Sequence, residues 1–308
     1  MVDRATSRIS LSPHEGRWLR LARPDRVTLP VVVDSPHSGT DWPSEFKPAR
    51  TRAEINRLSD LYVDQIFNGV TELGGTLLAA RFPRSFIDLN RDQFDVARWQ
   101  MRGKWRRPIK QSGYGRWGMG VIKAKLGRDI PLYDEKPTAD QVAGWIDRYW
   151  RPYRRILSDL LDEGQAHFGN VIHINAHSMR NDPPPGARDK GPRPDFVLGD
   201  RDGSTCDPRV TQHVAEFLKA RGYSVKINHP FAGVDIVRRS GQPKRGIHAL
   251  QIELNRNLFM DPHTLNARPD DLAKMQALMR DLMATLPELT KQLGLVPTQQ
   301  PASTPSPR

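Results

Sequence analysis

The sequence predicts an α/β protein: a three-layer sandwich in which helices cover both faces of a mixed, mainly parallel sheet. Three features carry that expectation. Leu29 to Asp34 (LPVVVD) is a near-continuous apolar run of strand length, as expected where a strand is covered on both faces. Val171 to His177 alternates, with Ile172, Ile174 and Ala176 on one side and His173, Asn175 and His177 on the other, predicting a strand with one solvent-facing side. Segments of this kind then alternate with amphipathic helical stretches along the chain.

Residues 1–28 are polar and Arg-rich, and are expected to wrap the surface of a single domain spanning 29–295. Ala53 to Leu73 reads as a helix with Ile55, Leu58, Tyr62, Ile66, Val70 and Leu73 as its apolar stripe, stopped by Gly74 and Gly75. Thr76 to Arg81 and Phe86 to Asn90 read as strands, and a short strand is possible from Gly118 to Ile122. Thr138 to Glu163 is helical, with Pro152 as a kink or break. Pro194 to Gly199, Tyr223 to Asn228, Val234 to Val237 and Ile247 to Asn255 follow as strands, with a helix from Asp207 to Arg221 and a closing helix from Asp270 to Leu293. Residues 296–308 are Pro, Ser, Thr and Gln with little to bury, and are expected to be disordered.

The chain of 308 residues can bury a substantial core, and its 37% hydrophobic and 27% charged residues describe a globular protein. No apolar run reaches the roughly 20 residues of a membrane helix, and MVDRATSRIS lacks the apolar centre of a signal peptide, so the expected compartment is the cytoplasm. Cys206 is the only cysteine, which excludes an internal disulfide and a multi-cysteine zinc site. A net charge of +12 favours anionic partners. Between Arg102 and Arg128 stand nine Lys and Arg residues without an acidic one, interleaved with Trp105, Tyr114 and Trp117. Such a mixture can grip single-stranded nucleic acid, but no nucleic-acid-binding motif accompanies it, and a solvated loop is the preferred reading.

Seven residues in five stretches suggest chemistry. His177 closes a strand, where α/β sheets tend to place ligand-binding groups, and His37 sits in the polar turn that follows Asp34. A histidine near a strand is more often a hydrogen-bonded structural residue, so neither is decisive alone. Asp60 and Asp64 share a helical face, but on a continuous helix it is opposite the apolar stripe. If Ser59 caps a new helix instead, Asp60 falls in its first turn and can face a cleft. Asn90 and Arg91 set an amide beside a guanidinium, an arrangement suited to a carboxylate, against the simpler alternative of a surface salt bridge. Glu253 lies within an apolar strand, which is costly unless it is paired or bound to something.

Taken together, SPHSG (35–39), SDLYVD (59–64), DLNRD (88–92), NAHSM (175–179), PDFVLGDRDG (194–203), NHPFAG (228–233) and HALQIELNRNLFMD (248–261) closely resemble the N-formylglutamate amidohydrolase (deformylase) family. The resemblance spans residues 29–265. It implies a fold related to zinc carboxypeptidases and aminoacylases. It also implies metal-dependent release of formate from N-formyl-L-glutamate, a small acidic substrate, in histidine breakdown. Carried over by position, His37 and His177 match metal ligands, Glu253 the catalytic base, and Arg91 with Asn90 a carboxylate clamp. The carboxypeptidase pattern places a glutamate three residues after the first histidine, where this chain has Thr40, so Asp60 is taken as the third ligand, with Asp64 or a water as alternatives. The implied cofactor is one divalent ion, zinc first, although iron, manganese or cobalt suit such donors too.

Two positions depart from the pattern: Asn175 stands for an aspartate two residues before the second histidine, and Arg154 for a histidine in a PYH motif. An aspartate there would orient the imidazole and raise its basicity. The rival expectations are therefore an amidohydrolase with a different N-acyl substrate, and a member without catalysis that binds an acidic ligand or nucleic acid.

Overall fold

The computed structural model describes residues 9–126, 130–183 and 189–294. The N-terminal part comprises α1 (Pro13–Trp18), β1 (Leu19–Ala22), β2 (Val31–Ser35), α2 (Arg52–Asn56), α3 (Val63–Ile66) and β3 (Thr76–Ala80). The middle holds α4 (Gly113–Arg116), α5 (Ala139–Trp145), α6 (Arg151–Phe168), β4 (Val171–Met179) and β5 (Phe196–Gly199). Then come α7 (Pro208–Lys219), β6 (Val225–Ile227), α8 (Asp235–Ser240), β7 (Ile247–Asn255) and α9 (Pro269–Gln292).

The strands form one sheet in the order β1-β3-β2-β4-β7-β5-β6. Pairing is parallel along β3-β2-β4-β7 and between β5 and β6, and antiparallel where β1 joins β3 and β5 joins β7. The expected α/β class with a mixed, mainly parallel sheet is therefore observed. Along β4 and β7 the ladder runs from Val171 opposite Ile247 to Met179 opposite Asn255, which sets His177 directly beside Glu253. Between β2 and β4 it sets Asp34 beside Asn175.

Two cores flank the sheet, as the period of two requires. Val31, Val33, Ile172, Ile174, Ala176, Leu250, Ile252 and Leu254 pack under α3, α7 and α9. On the opposite face Val32, Val171 and Ile247 join Tyr153, Ile156 and Leu157 of α6 and Ile236 of α8. His173, Asn175 and His177 point to this second face, where solvent was expected. They are instead buried beneath α6 and α8, so each polar atom needs a protein partner.

Several local expectations are corrected. The helix expected over 53–73 is interrupted after Asn56, and Tyr62 adopts φ 67° before α3. Its apolar stripe serves two cores: Ile55 belongs to the α6 side, Ile66 and Val70 to the α9 side, and no straight helix reaches both. The break also turns Asp60 inward, its backbone N–H donating to the His37 carbonyl at 2.9 Å. Phe86 to Asn90 forms turns because β2 already has β3 and β4 on its two edges; Phe86, Ile87 and Leu89 are nonetheless fully buried. Val234 to Val237 is not a strand. Asp235 starts α8 and pairs with Arg238 and Arg239, three and four residues on, which is helical spacing.

Pro152 does not break the helix. A wide π turn from Ile146 to Trp150 joins α5 to α6 and leaves the proline in the first turn of α6, where its missing N–H is tolerated. Of the segment 1–28, the described residues 9–28 do more than wrap the surface: α1, capped reciprocally by Ser12 and Glu15, leads into β1 at the sheet edge. Over Gly118 to Ile122 the pairing reduces to an isolated bridge from Met119 to Lys123. The tail 296–308 and the prolines at 184 and 185 lie outside the described residues.

Candidate metal centre and active site

His37, Asp60 and His177 converge at the C-terminal ends of β2 and β4, all three buried. Nδ1 of His37 lies 3.2 Å from Nδ1 of His177, and Asp60 Oδ2 lies 3.5 Å and 2.9 Å from the same two atoms. Donors about 2.0–2.1 Å from one tetrahedral ion stand about 3.3 Å apart, so these separations suit a single small divalent cation. The set leaves a fourth direction open, as a catalytic rather than structural site requires. Asp64 stays outside this group and faces Arg20 at 3.6 Å.

Each imidazole is held from behind. Nε2 of His37 meets the Asp88 carboxylate at 2.7 Å, and Nε2 of His177 meets the Asn175 side-chain oxygen at 2.9 Å. With an ion bound, such partners would keep the proton on Nε2 and leave the Nδ1 lone pair to the ion. Asn175 is itself oriented, donating from Nδ2 to Asp34 Oδ1 at 2.8 Å. Asp34 also meets His173 Nε2 at 2.7 Å and accepts from Tyr153 at 2.7 Å. The amide expected to weaken the histidine thus keeps the hydrogen bond and lacks only the charge. Gly39 is demanded by packing in this same turn, because a Cβ there would overlap the Arg81 carbonyl.

Cations and anions are layered around the triad. Asp88 receives Arg84 at 2.8 Å and Lys123 at 3.0 Å. Burial alone would raise the Asp88 pKa, but Arg84, Lys123 and His37 hold it well below the usual carboxylate range. Burial likewise opposes ionisation of Asp60, and the hydrogen bonds from His177 and His37 overcome it. Arg256 adds a bond to Asp60 Oδ1 at 3.1 Å. Glu253 goes the other way: burial, reinforced by Asp60, raises its carboxyl above the ordinary value against the pull of His177, Arg84 and Arg256. Gln251 donates to Glu253 Oε1 at 3.0 Å. A carboxyl raised in this way is better able to pick up and pass on a proton near neutrality.

Asn90 and Arg91 have different surroundings. The Asn90 amide nitrogen lies 3.1 Å from His177 Nε2, while its oxygen accepts from the Ile236 N–H at 2.8 Å. Arg91 stands at the rim, stacked 4.6 Å over Tyr114, and its buried Nε has no hydrogen-bond partner among the described residues. Arg84 Nε is unpartnered in the same way. Arg154 stays clear of the triad: it pairs with Asp235 at 3.1 Å and donates to the Leu89 carbonyl at 3.1 Å. Asp88, Arg84, Lys123 and Arg256 were not singled out from the sequence. Asp88 carried the same signal as Glu253, a carboxylate between buried apolar neighbours, whereas the three cations resemble surface charge until the fold buries them.

Residues 29–260 match the family described as N-formylglutamate amidohydrolase. The chain belongs to that family. It is 31% identical over 266 residues to the N-formylglutamate deformylase of Pseudomonas aeruginosa, covering 85% of this chain and 94% of that one. It is 29% identical to the Pseudomonas putida deformylase, over 90% of this chain and 95% of the relative. Among solved structures, the N-formylglutamate amidohydrolase of Ralstonia eutropha superposes with a TM-score of 0.83 at 36% identity, covering 89% of this chain and 99% of that one. As a member of the N-formylglutamate amidohydrolase family the chain is a hydrolase acting on amide bonds. None of its helices is long and apolar enough to cross a membrane among the described residues.

Proposed function

We propose that the protein is a metal-dependent amidohydrolase that removes a formyl group from N-formyl-L-glutamate, or a comparably small acyl group from another acidic amino acid. The observation that carries this reading is the spacing of His37, Asp60 and His177, with Glu253 across the strand pair from His177. Those three residues would hold one divalent ion, most simply zinc. When bound, such an ion lowers the pKa of water toward about 7 and polarises a carbonyl oxygen.

The chain's own groups account for the rest. Glu253 accepts the proton of the attacking water as its oxygen adds to the acyl carbon. It then gives that proton to the amide nitrogen as the C–N bond breaks, so that formate and a free amine leave. Arg91, aided by Arg84, meets the substrate carboxylates in this reading; both also pair with Asp88, and each has a buried Nε without a hydrogen-bond partner among the described residues. Asn90 holds the loop in this reading, its side-chain oxygen accepting from the Ile236 N–H. Names of the relatives make formyl the first acyl group to try, and Arg84, Arg91 and Lys123, which all lie within 4.0 Å of Asp88, favour an acidic amino-acid part.

The test is metal content of the purified protein together with formate release, for wild type and Glu253→Gln. The expected result is about one bound ion in both proteins, with turnover reduced at least about a hundredfold in the variant. Undiminished turnover in Glu253→Gln would remove the base, and failure of every N-acyl acidic amino acid to turn over would remove the substrate class. The integrity of the Asn175 bond to His177 speaks against a member that has lost catalysis.

A further inference from the structure

A cavity of about 270 Å³ opens between α6, α8 and the start of β7, and none of His37, Asp60 and His177 lines it. Its walls combine an apolar patch of Trp150, Leu157 and Ile236 with the guanidinium groups of Arg154, Arg239 and Arg245. The charge around α8 does not balance. Arg154, Arg238 and Arg239 are answered by Asp235 and Asp92, three cations against two carboxylates. Among the described residues Arg245 is matched only by the half-exposed Asp162 at 3.3 Å. Burial pulls the pKa of Arg154 down, with Asp235 compensating in part and Arg239 opposing.

The walls of this cavity also hold the loop that carries Asn90 and Arg91. Arg154 donates to the Leu89 carbonyl at 3.1 Å, and Trp150 Nε1 donates to the Arg91 carbonyl at 2.9 Å. The N–H of Ile236 donates to the Asn90 side chain. From the same cavity Ser240 reaches His173 Nδ1 at 2.9 Å, and the chain continues through Asp34 and Asn175 to His177. Moving Arg154 or Trp150 therefore bears on the Leu89–Arg91 loop, and moving Ser240 on the chain that ends at His177.

We propose that this cavity is a second ligand site, for a small monocarboxylate with an apolar body, whose occupancy alters the seating of the Leu89–Arg91 loop. The carboxylate neutralises the excess guanidinium charge, and the body lies against Trp150, Leu157 and Ile236. A bulky apolar substituent suits this cavity, whereas the cationic rim of the metal site is dominated by charged groups. Coupling follows because an anion drawing on Arg154 competes with the Leu89 carbonyl for the same N–H groups.

The probe is 4-fluorobenzoate, titrated into the full-length, metal-loaded protein and followed by fluorine NMR, with 4-fluorobenzyl alcohol as the uncharged control. Ser158→Trp, which fills the mouth from the exposed face of α6, and Arg245→Glu, which reverses a wall charge, both change residues remote from the triad. Saturable binding of the benzoate only, weakened roughly tenfold or more in both variants, is the expected result. Absence of saturable binding, or equal affinity in wild type and both variants, would overturn the site. Coupling is read separately from the side-chain amide resonances of Asn90, which are expected to shift on saturation in wild type and not in Ser158→Trp. Unmoved Asn90 resonances despite saturable binding would overturn the coupling. Neither readout needs turnover, so both stand apart from the fate of the proposed reaction.

Discussion

The side-chain oxygen of Asn175 lies 2.9 Å from His177 Nε2, while its amide nitrogen lies 2.8 Å from Asp34. An amide can serve both neighbours at once because it has a donor and an acceptor. A carboxylate cannot. Asn175→Asp would set two carboxylates against each other, so it is expected to lower stability by about 1–3 kcal/mol. Urea unfolding of the metal-free proteins measures this. Equal or greater stability would mean that Asp34 takes up a proton in compensation.

Gly39→Ala tests the turn that presents His37. The new methyl group would overlap the backbone of Arg81, which cannot move without disturbing the chain that leads from β3. A loss of about 1–3 kcal/mol or more is expected, together with weaker metal retention under chelator competition. Retention as strong as in wild type would show that the turn relaxes without moving the histidine.

Arg91→Gln tests recognition. The guanidinium is stacked on Tyr114, and its Nε is free of hydrogen-bond partners among the described residues. Loss of a charged contact of about 1.5–3 kcal/mol corresponds to a rise in KM of roughly ten- to a hundredfold for an N-acyl glutamate, with a smaller change in kcat. Steady-state kinetics with glutamate and glutamine derivatives separates the two parameters. A fall in kcat alone would place Arg91 in the chemical step.

Lys123 supplies a dependence on pH. Burial pushes its amine down to about 8, against the attraction of Asp88 and with the help of Arg84 and Arg91. The folded state therefore releases this proton before the unfolded chain does, which holds it to about 10.5. Between those values the unfolded state binds more protons, so stability from this group rises with pH. Compared with Lys123→Met, wild type is expected to gain stability as pH rises from about 8 toward 10. Parallel stability curves for the two proteins would show that the amine titrates normally.

Much of the site was legible because buried chemistry leaves marks in residue order. Glu253 stood out between Leu250, Ile252 and Leu254, and the structure buries it in the strand that pairs with β4. Helix boundaries held where a helix was continuous: the helix expected over 207–221 forms as α7 with Asp207 at its cap, whereas Ser59 does not cap α3, which starts after Tyr62. They failed over 53–73, since periodicity reports a stripe without saying whether one core or two will receive it. Phe86 to Asn90 misled for a related reason, because apolar content marks burial and says nothing of whether a sheet edge is free.

Residue order alone was enough for the α/β class, for the central strands, and for His37, His177 and Glu253 as positions of interest, since alternation and turn chemistry are local properties. The partnerships came only with the fold. Asp88 behind His37, Asn175 between Asp34 and His177, and Asp60 turned inward by the break before α3 all join residues from different elements. Hydrogen bonds and electrostatic shifts depend on distance through space, and spacing along the chain does not encode it.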